Sequence, residues 1–134
     1  NKLDCEGYRL PTELEWEFLA KGGKNHRYSG GFDEAGRSGW VQVNSQKQAH
    51  QVAGKPANPF GLFDMTGNVA EWVWGGPFTY GKSAEVGPTN AKLMGVRGGS
   101  WDDEDAATRT DRRRFDKPKK PLSTVGFRLV RGAR

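Results

Sequence analysis

Gly61-Leu62-Phe63-Asp64-Met65-Thr66-Gly67-Asn68-Val69-Ala70-Glu71-Trp72 is the densest stretch of this chain. It leads into Glu71-Trp72-Val73-Trp74, which reads as a strand with Trp72 and Trp74 on one face. Gly75-Gly76-Pro77 then ends the strand.

Upstream, Glu13 to Lys21 reads as a helix. Thr12 and Glu15 make a capping box that satisfies donors left unpaired at the helix start. Lys21 suits the negative end of the dipole, and Gly22 suits the left-handed position that closes a helix. Leu14 and Phe18, four apart, share a face with Leu10 just upstream. Residues 24–57 show no sustained period and read as long ordered loops, with one short strand around Trp40 and Val41-Gln42-Val43. Downstream, a loop over residues 80–92 precedes a strand with a glycine break, Met94 to Trp101. Val125 to Val130 alternates apolar with polar and reads as the final strand.

The chain has 134 residues, which suits one domain, 1–134, with one core. Apolar residues make up only 34%, yet there are five Trp, seven Phe and nineteen Gly. Such a chain builds its core from a few large rings and its path from glycine-permitted turns. Trp16, Trp72 and Trp101 are the candidate core rings. Together these features predict an irregular α+β domain. The one cysteine, Cys5, excludes an internal disulfide. No apolar run approaches the ~18 residues of a membrane span, and no signal peptide opens the chain. Opening on Asn1 points to a trimmed product. The net charge of +5 permits an acidic partner without demanding one.

Three blocks in order carry a family resemblance: Tyr8-Arg9-Leu10-Pro11-Thr12-Glu13-Leu14-Glu15-Trp16-Glu17, the stretch quoted first, and Arg97-Gly98-Gly99-Ser100-Trp101 with Gly126-Phe127-Arg128. Together they resemble the formylglycine-generating (sulfatase-modifying) enzyme domain, which implies a C-type lectin-like fold. Members of that family carry a substantial portion before the Arg9-Leu10-Pro11-Thr12-Glu13 run, where this chain has eight residues. Its enzymes oxidise a substrate cysteine with copper held by two thiolates near the chain's end, because copper(I) prefers soft ligands. Residues 97–134 contain no cysteine, so catalysis is not expected and no cofactor is required. His26 and His50 lack metal-ligand spacing and read as loop histidines. The resemblance also implies a structural Ca2+, held by Asp64, the carbonyls of Gly67 and Val69, and Glu71, an oxygen set suited to a hard cation. The competing reading has Asp64 capping a turn and Glu71 meeting an arginine such as Arg97 or Arg128. No lectin triplet for calcium-bridged sugar recognition is present.

Residues 97–130 also resemble the variable region of diversity-generating retroelement proteins, which use this fold to display a mutable face. In that family, adenine-directed mutagenesis of Asn codons yields Asp, Arg, Phe, Leu, Ser, Thr, Ala or Pro, but not Lys, Glu, Trp, Met or Gln. Asp102, Asp103, Ala107, Arg112, Arg114, Phe115, Asp116, Leu122, Ser123 and Thr124 pass this filter where variable positions cluster. Glu104, Lys117, Lys119 and Lys120 fail it and read as fixed surface. Phe115 and Leu122 either centre an apolar contact patch ringed by Arg112 and Arg114 or tuck under the loop.

The resemblance thus implies a non-catalytic binding domain with a protein or cell-surface ligand, surface-displayed or virus- or phage-encoded. One rival is a sulfatase-modifying-type enzyme or its inactive accessory module. Another is a nucleic-acid binder through Arg112-Arg113-Arg114 and Lys117, Lys119 and Lys120. Acids at 102–105, 111 and 116 interrupt that basic run and disfavour nucleic acid.

Overall fold

A computed structural model describes residues 7–77 and 92–132. Cys5 and most of the loop expected at 80–92 lie outside the described residues. The elements in order are β1 (Tyr8–Arg9), α1 (Glu13–Lys21), α2 (Ala35–Ser38), β2 (Ala70–Trp72), β3 (Met94–Arg97), a 3₁₀ turn (Asp105–Thr108), β4 (Arg114–Asp116), β5 (Val125–Phe127) and β6 (Val130–Arg131). Four strands form a sheet in the order β4-β3-β2-β5. Its pairs are antiparallel except β2 with β5, which run parallel from Ala70↔Val125 to Trp72↔Phe127. β1 and β6 pair antiparallel as a separate ribbon.

α1 begins and ends as its sequence dictates. Glu15 N donates to Thr12 Oγ1 at 3.2 Å, and Thr12 N donates back to Glu15 Oε2 at 2.8 Å. Gly22 takes φ 61° at the other end. Arg9 clasps Glu15 with two bonds of 2.7 Å and is the main reason that its carboxyl falls from 4.5 to about 2.

α1 does not bury its apolar stripe. Leu14 and Phe18 are exposed, while Glu13, Trp16 and Ala20 are buried. Two carboxylates, Glu13 and Glu17, turn inward because Arg97 on β3 awaits them. Ion pairing at the sheet overrides the apolar stripe. Phe18 instead meets Phe60, ring centres 5.6 Å apart, on the outside.

The core also differs from expectation. Trp16 is fully buried, packed with Ala20, Met65 and Val73, with Leu19 and Leu62 against them. Trp72 and Trp101 are only half-buried. Tyr28, Ala35 and Val41 form a second cluster. No strand forms at 41–43; α2 precedes it and Val43 is exposed. The strand expected at 125–130 is divided between β5 and β6, which belong to different sheets.

Asparagines, more than tryptophans, tie the long loops down. Asn58 donates to Leu19 O at 2.7 Å and accepts from Phe60 N and Leu62 N. Asn68 donates to His50 O and accepts from His50 N through its side chain, and its backbone N–H bonds Trp40 O at 2.7 Å. A chain so loop-rich must find partners for its buried backbone groups outside regular ladders, and amides carry both a donor and an acceptor. Gly67, beside Asn68, has φ 67°, and a Cβ there would sit 2.2 Å from Trp40 O. Only glycine fits that approach.

Candidate binding face

β3 ends at two left-handed glycines, Gly98 (φ 89°) and Gly99 (φ 65°), which turn the chain out of the sheet. Asp103 fastens the turn that follows: its Oδ2 accepts from Ser100 N at 2.8 Å and from Ser100 Oγ at 2.7 Å. After the 3₁₀ turn, Thr110 reaches back to the first loop, N–H to Arg27 O and hydroxyl to His26 O. Thr108 and Thr110 are both buried. Arg113 then crosses to α1 and grips Glu13 with bonds from Nε and Nη2. β4 follows at once and pairs with β3, Val96 opposite Arg114 and Gly95 opposite Phe115.

The anchor beneath is a buried ion network. Arg97, with no exposed surface, donates to Glu13 at 3.2 Å, to Glu17 at 2.5 Å and to Thr110 O at 3.0 Å. Its guanidinium lies 5.4 Å from the Trp16 ring centre. Buried charges persist only when paired and hydrogen-bonded in this way. In the sequence Arg113 reads only as one member of the basic run, and its contact to Glu13 is a finding of the structure. Its signal was faint: one arginine in a run of three.

Ten residues were expected on the face. Asp103, Ala107, Arg112 and Arg114 line one pocket of about 250 Å³, together with Ala70, Val96, Gly98, Gly99 and Arg113. Phe115, Asp116 and Leu122 line a second, about 390 Å³, with Leu93, Lys117 and Lys120. The single patch with an apolar centre therefore divides in two at β4. Phe115 is half-buried, with the Arg113 guanidinium 5.3 Å from its ring centre. Leu122 is half-buried as well. Asp102 and Ser123 are exposed, and Thr124 is half-buried, its carbonyl accepting from Ala70 N. Lys117 and Lys120, read as fixed surface, sit in the second pocket's wall.

The residues expected to hold calcium are divided. Both Glu71 oxygens are engaged by Arg128, at 2.6 and 2.7 Å, and Oε2 also accepts from Trp16 Nε1 at 2.6 Å. Asp64 Oδ2 accepts from Ala53 N at 2.8 Å, while its Oδ1 is buried without a partner. A carboxylate saturated by a guanidinium and an indole is a poor ligand for a dication, so Glu71 does not fit that set. Asp64, with φ 57°, has one oxygen to spare. His50 stacks on Trp40 at 3.8 Å between ring centres, and Lys55 lies 4.3 Å from the same indole. Among the described residues, no three His, Cys, Asp or Glu side chains converge on a metal position. Nor is any described helix long and apolar enough to cross a membrane.

The sulfatase-modifying factor enzyme 1-like domain matches residues 1–133. The chain belongs to that family. A formylglycine-generating enzyme of Streptomyces coelicolor is 32% identical over 149 residues, covering 95% of this chain and 48% of the enzyme. An inactive C-alpha-formylglycine-generating enzyme 2 of Bos taurus is 31% identical, over 95% of this chain and 45% of that protein. The serine/threonine-protein kinase pkn1 of Chlamydia caviae is 38% identical over 96% of this chain, but only 22% of the kinase is involved. The chain thus spans about half of these relatives, or less. Among solved structures, Treponema denticola variable protein 1 superposes with TM-score 0.85 at 36% identity, covering 95% of this chain and 48% of that one. The formylglycine-generating-type, C-type lectin-like fold is thereby established, and with it the likeness to a variable protein. Family membership alone does not decide catalysis, because the relatives include both enzymes and an inactive form.

Proposed function

We propose that this chain is a non-catalytic display domain, the variable protein of a diversity-generating retroelement, which binds a protein or cell-surface ligand through residues 102–124. One observation carries the reading. Seven of the ten expected face residues line two pockets, four in one and three in the other, on a segment tied down mainly by other residues. Arg97, Thr108, Thr110 and Arg113 hold the segment, while Ala107, Arg112 and Arg114 front the pocket and Asp103 does both, fastening the Ser100 turn. Anchors and face alternate along the chain. A face residue other than Asp103 can change without loosening the frame, and a rigid frame loses little entropy on association.

Against catalysis stands the thiol count. This chain holds one cysteine, Cys5, and the family's copper chemistry needs two thiolates, so the residues here do not fit the metal. The likeness to the Treponema variable protein supports display, and that to the inactive bovine form supports the loss of chemistry.

The test is genomic. A near-copy of the coding sequence for residues 97–130 should lie beside a reverse-transcriptase gene, differing at adenines in the codons of the ten face residues. A locus with neither would reduce the reading to a binding domain of fixed specificity.

A further inference from the structure

The pocket beside β4 is rich in charge. Three consecutive arginines line it, each with a different surrounding. Arg113 is committed to Glu13. Arg114 donates from Nε to Asp116 at 2.9 Å and places Nη1 3.7 Å from Asp103. Arg112 is exposed, and its guanidinium has no hydrogen-bonding or ionic partner among the described residues. The other walls, Ala70, Val96, Gly98, Gly99 and Ala107, present alkyl groups and bare backbone. At about 250 Å³ the pocket is smaller than the ~300–1,000 Å³ of sites that enclose a whole small molecule. It suits one side chain or one small group.

From this we infer that the pocket receives a single carboxylate on a short aliphatic stem, paired with the Arg112 guanidinium. A planar guanidinium matches a carboxylate with two parallel N–H bonds, and the stem would lie on the alanine, valine and glycine floor. Asp103 in the wall and Asp116 behind Arg114 choose between anions. They repel a phosphate dianion about twice as strongly as a carboxylate, since Coulomb energy scales with charge. The inference rests on the display reading and names the chemistry of its contact: an acidic side chain of the partner, or the carboxylate that ends a chain.

The experiment follows the Arg112 Nε–H resonance and the amides of Gly99 and Ala107 by NMR while four probes are titrated. Blocked glutamate represents an acidic side chain and N-acetylalanine a chain end; blocked glutamine and inorganic phosphate are the controls. Saturable shifts with either carboxylate are expected, and whichever of the two binds more tightly identifies the source. Arg112→Gln should weaken that binding about tenfold or more, the loss of one charge-assisted pair, and Arg112→Lys should recover part of it. Equal binding of blocked glutamine, tighter binding of phosphate, full binding by Arg112→Gln, or no saturation by any probe would overturn the inference. None of those results touches the genomic test, so display and carboxylate recognition fail separately.

Discussion

On the α1 side of the sheet, Arg97 is sealed between Glu13 and Glu17, whereas in the pocket beside β4 the Arg112 guanidinium has no hydrogen-bonding or ionic partner among the described residues. Both are arginines near the same strands. Their surroundings give one a structural role and leave the other available. Removing a partner from a buried pair strands a charge in a low dielectric, whereas removing an exposed, unpaired cation disturbs little. The proposed display function needs this division. Arg113 marks the border, lining the pocket while holding Glu13.

The sharpest way to break the comparison is to exchange the sealed cation for a hydrocarbon. Arg97→Met leaves Glu13 with Arg113 and Glu17 with Lys21, removes the bond to Thr110 O, and should cost about 3 kcal/mol in chemical denaturation. A loss below about 1 kcal/mol would mean that the network is not what holds the segment. A smaller loss is expected at the pocket floor. Gly99 has φ 65°, and a Cβ there would meet Thr108 Cγ2 at 2.6 Å. Gly99→Ala should therefore cost about 1–3 kcal/mol, with amide shifts concentrated at residues 98–108. Normal stability would show that the floor yields.

Glu15 offers a finer test, because its pairing with Arg9 is half open to solvent. Its folded value of about 2 lies below its ordinary 4.5. The stabilisation is thus complete above about 4.5 and is lost as pH falls through about 2. Glu15→Gln keeps the cap but removes the charge. The variant should be weaker by about 0.5 kcal/mol or less at neutral pH, screening included, with the gap closing by pH 2. A gap independent of pH would place the effect elsewhere. The smallest effect is expected from calcium. With Glu71 held by Arg128 and Trp16, adding Ca2+ after EDTA should leave Tm unchanged. Site saturation would instead raise it by several degrees, showing that Glu71 exchanges Arg128 for the ion.

Much of the frame was legible because its causes are local. Thr12, Glu15 and Gly22 bound α1 through contacts within a few residues. Gly98-Gly99 ends β3 for the same kind of reason. The sequence also carried the family, since three long aromatic-rich blocks keep their order. The orientation of α1 was not legible. Leu14 and Phe18 make a better apolar stripe than Glu13 and Glu17, and nothing local reveals that Arg97, eighty-four residues beyond Glu13, lies opposite. A separation of 100 residues likewise hid the Glu13–Arg113 bond.

By itself, then, the sequence determined the helix and its limits, the glycine turns, the family and which residues belong to the closing segment. Only the tertiary structure decided which arginines are sealed and which is open, and that Glu71 belongs to Arg128. Capping and turn geometry are fixed by neighbours along the chain. The state of a charge is fixed by whatever the fold brings within a few ångströms of it, wherever in the sequence that group resides.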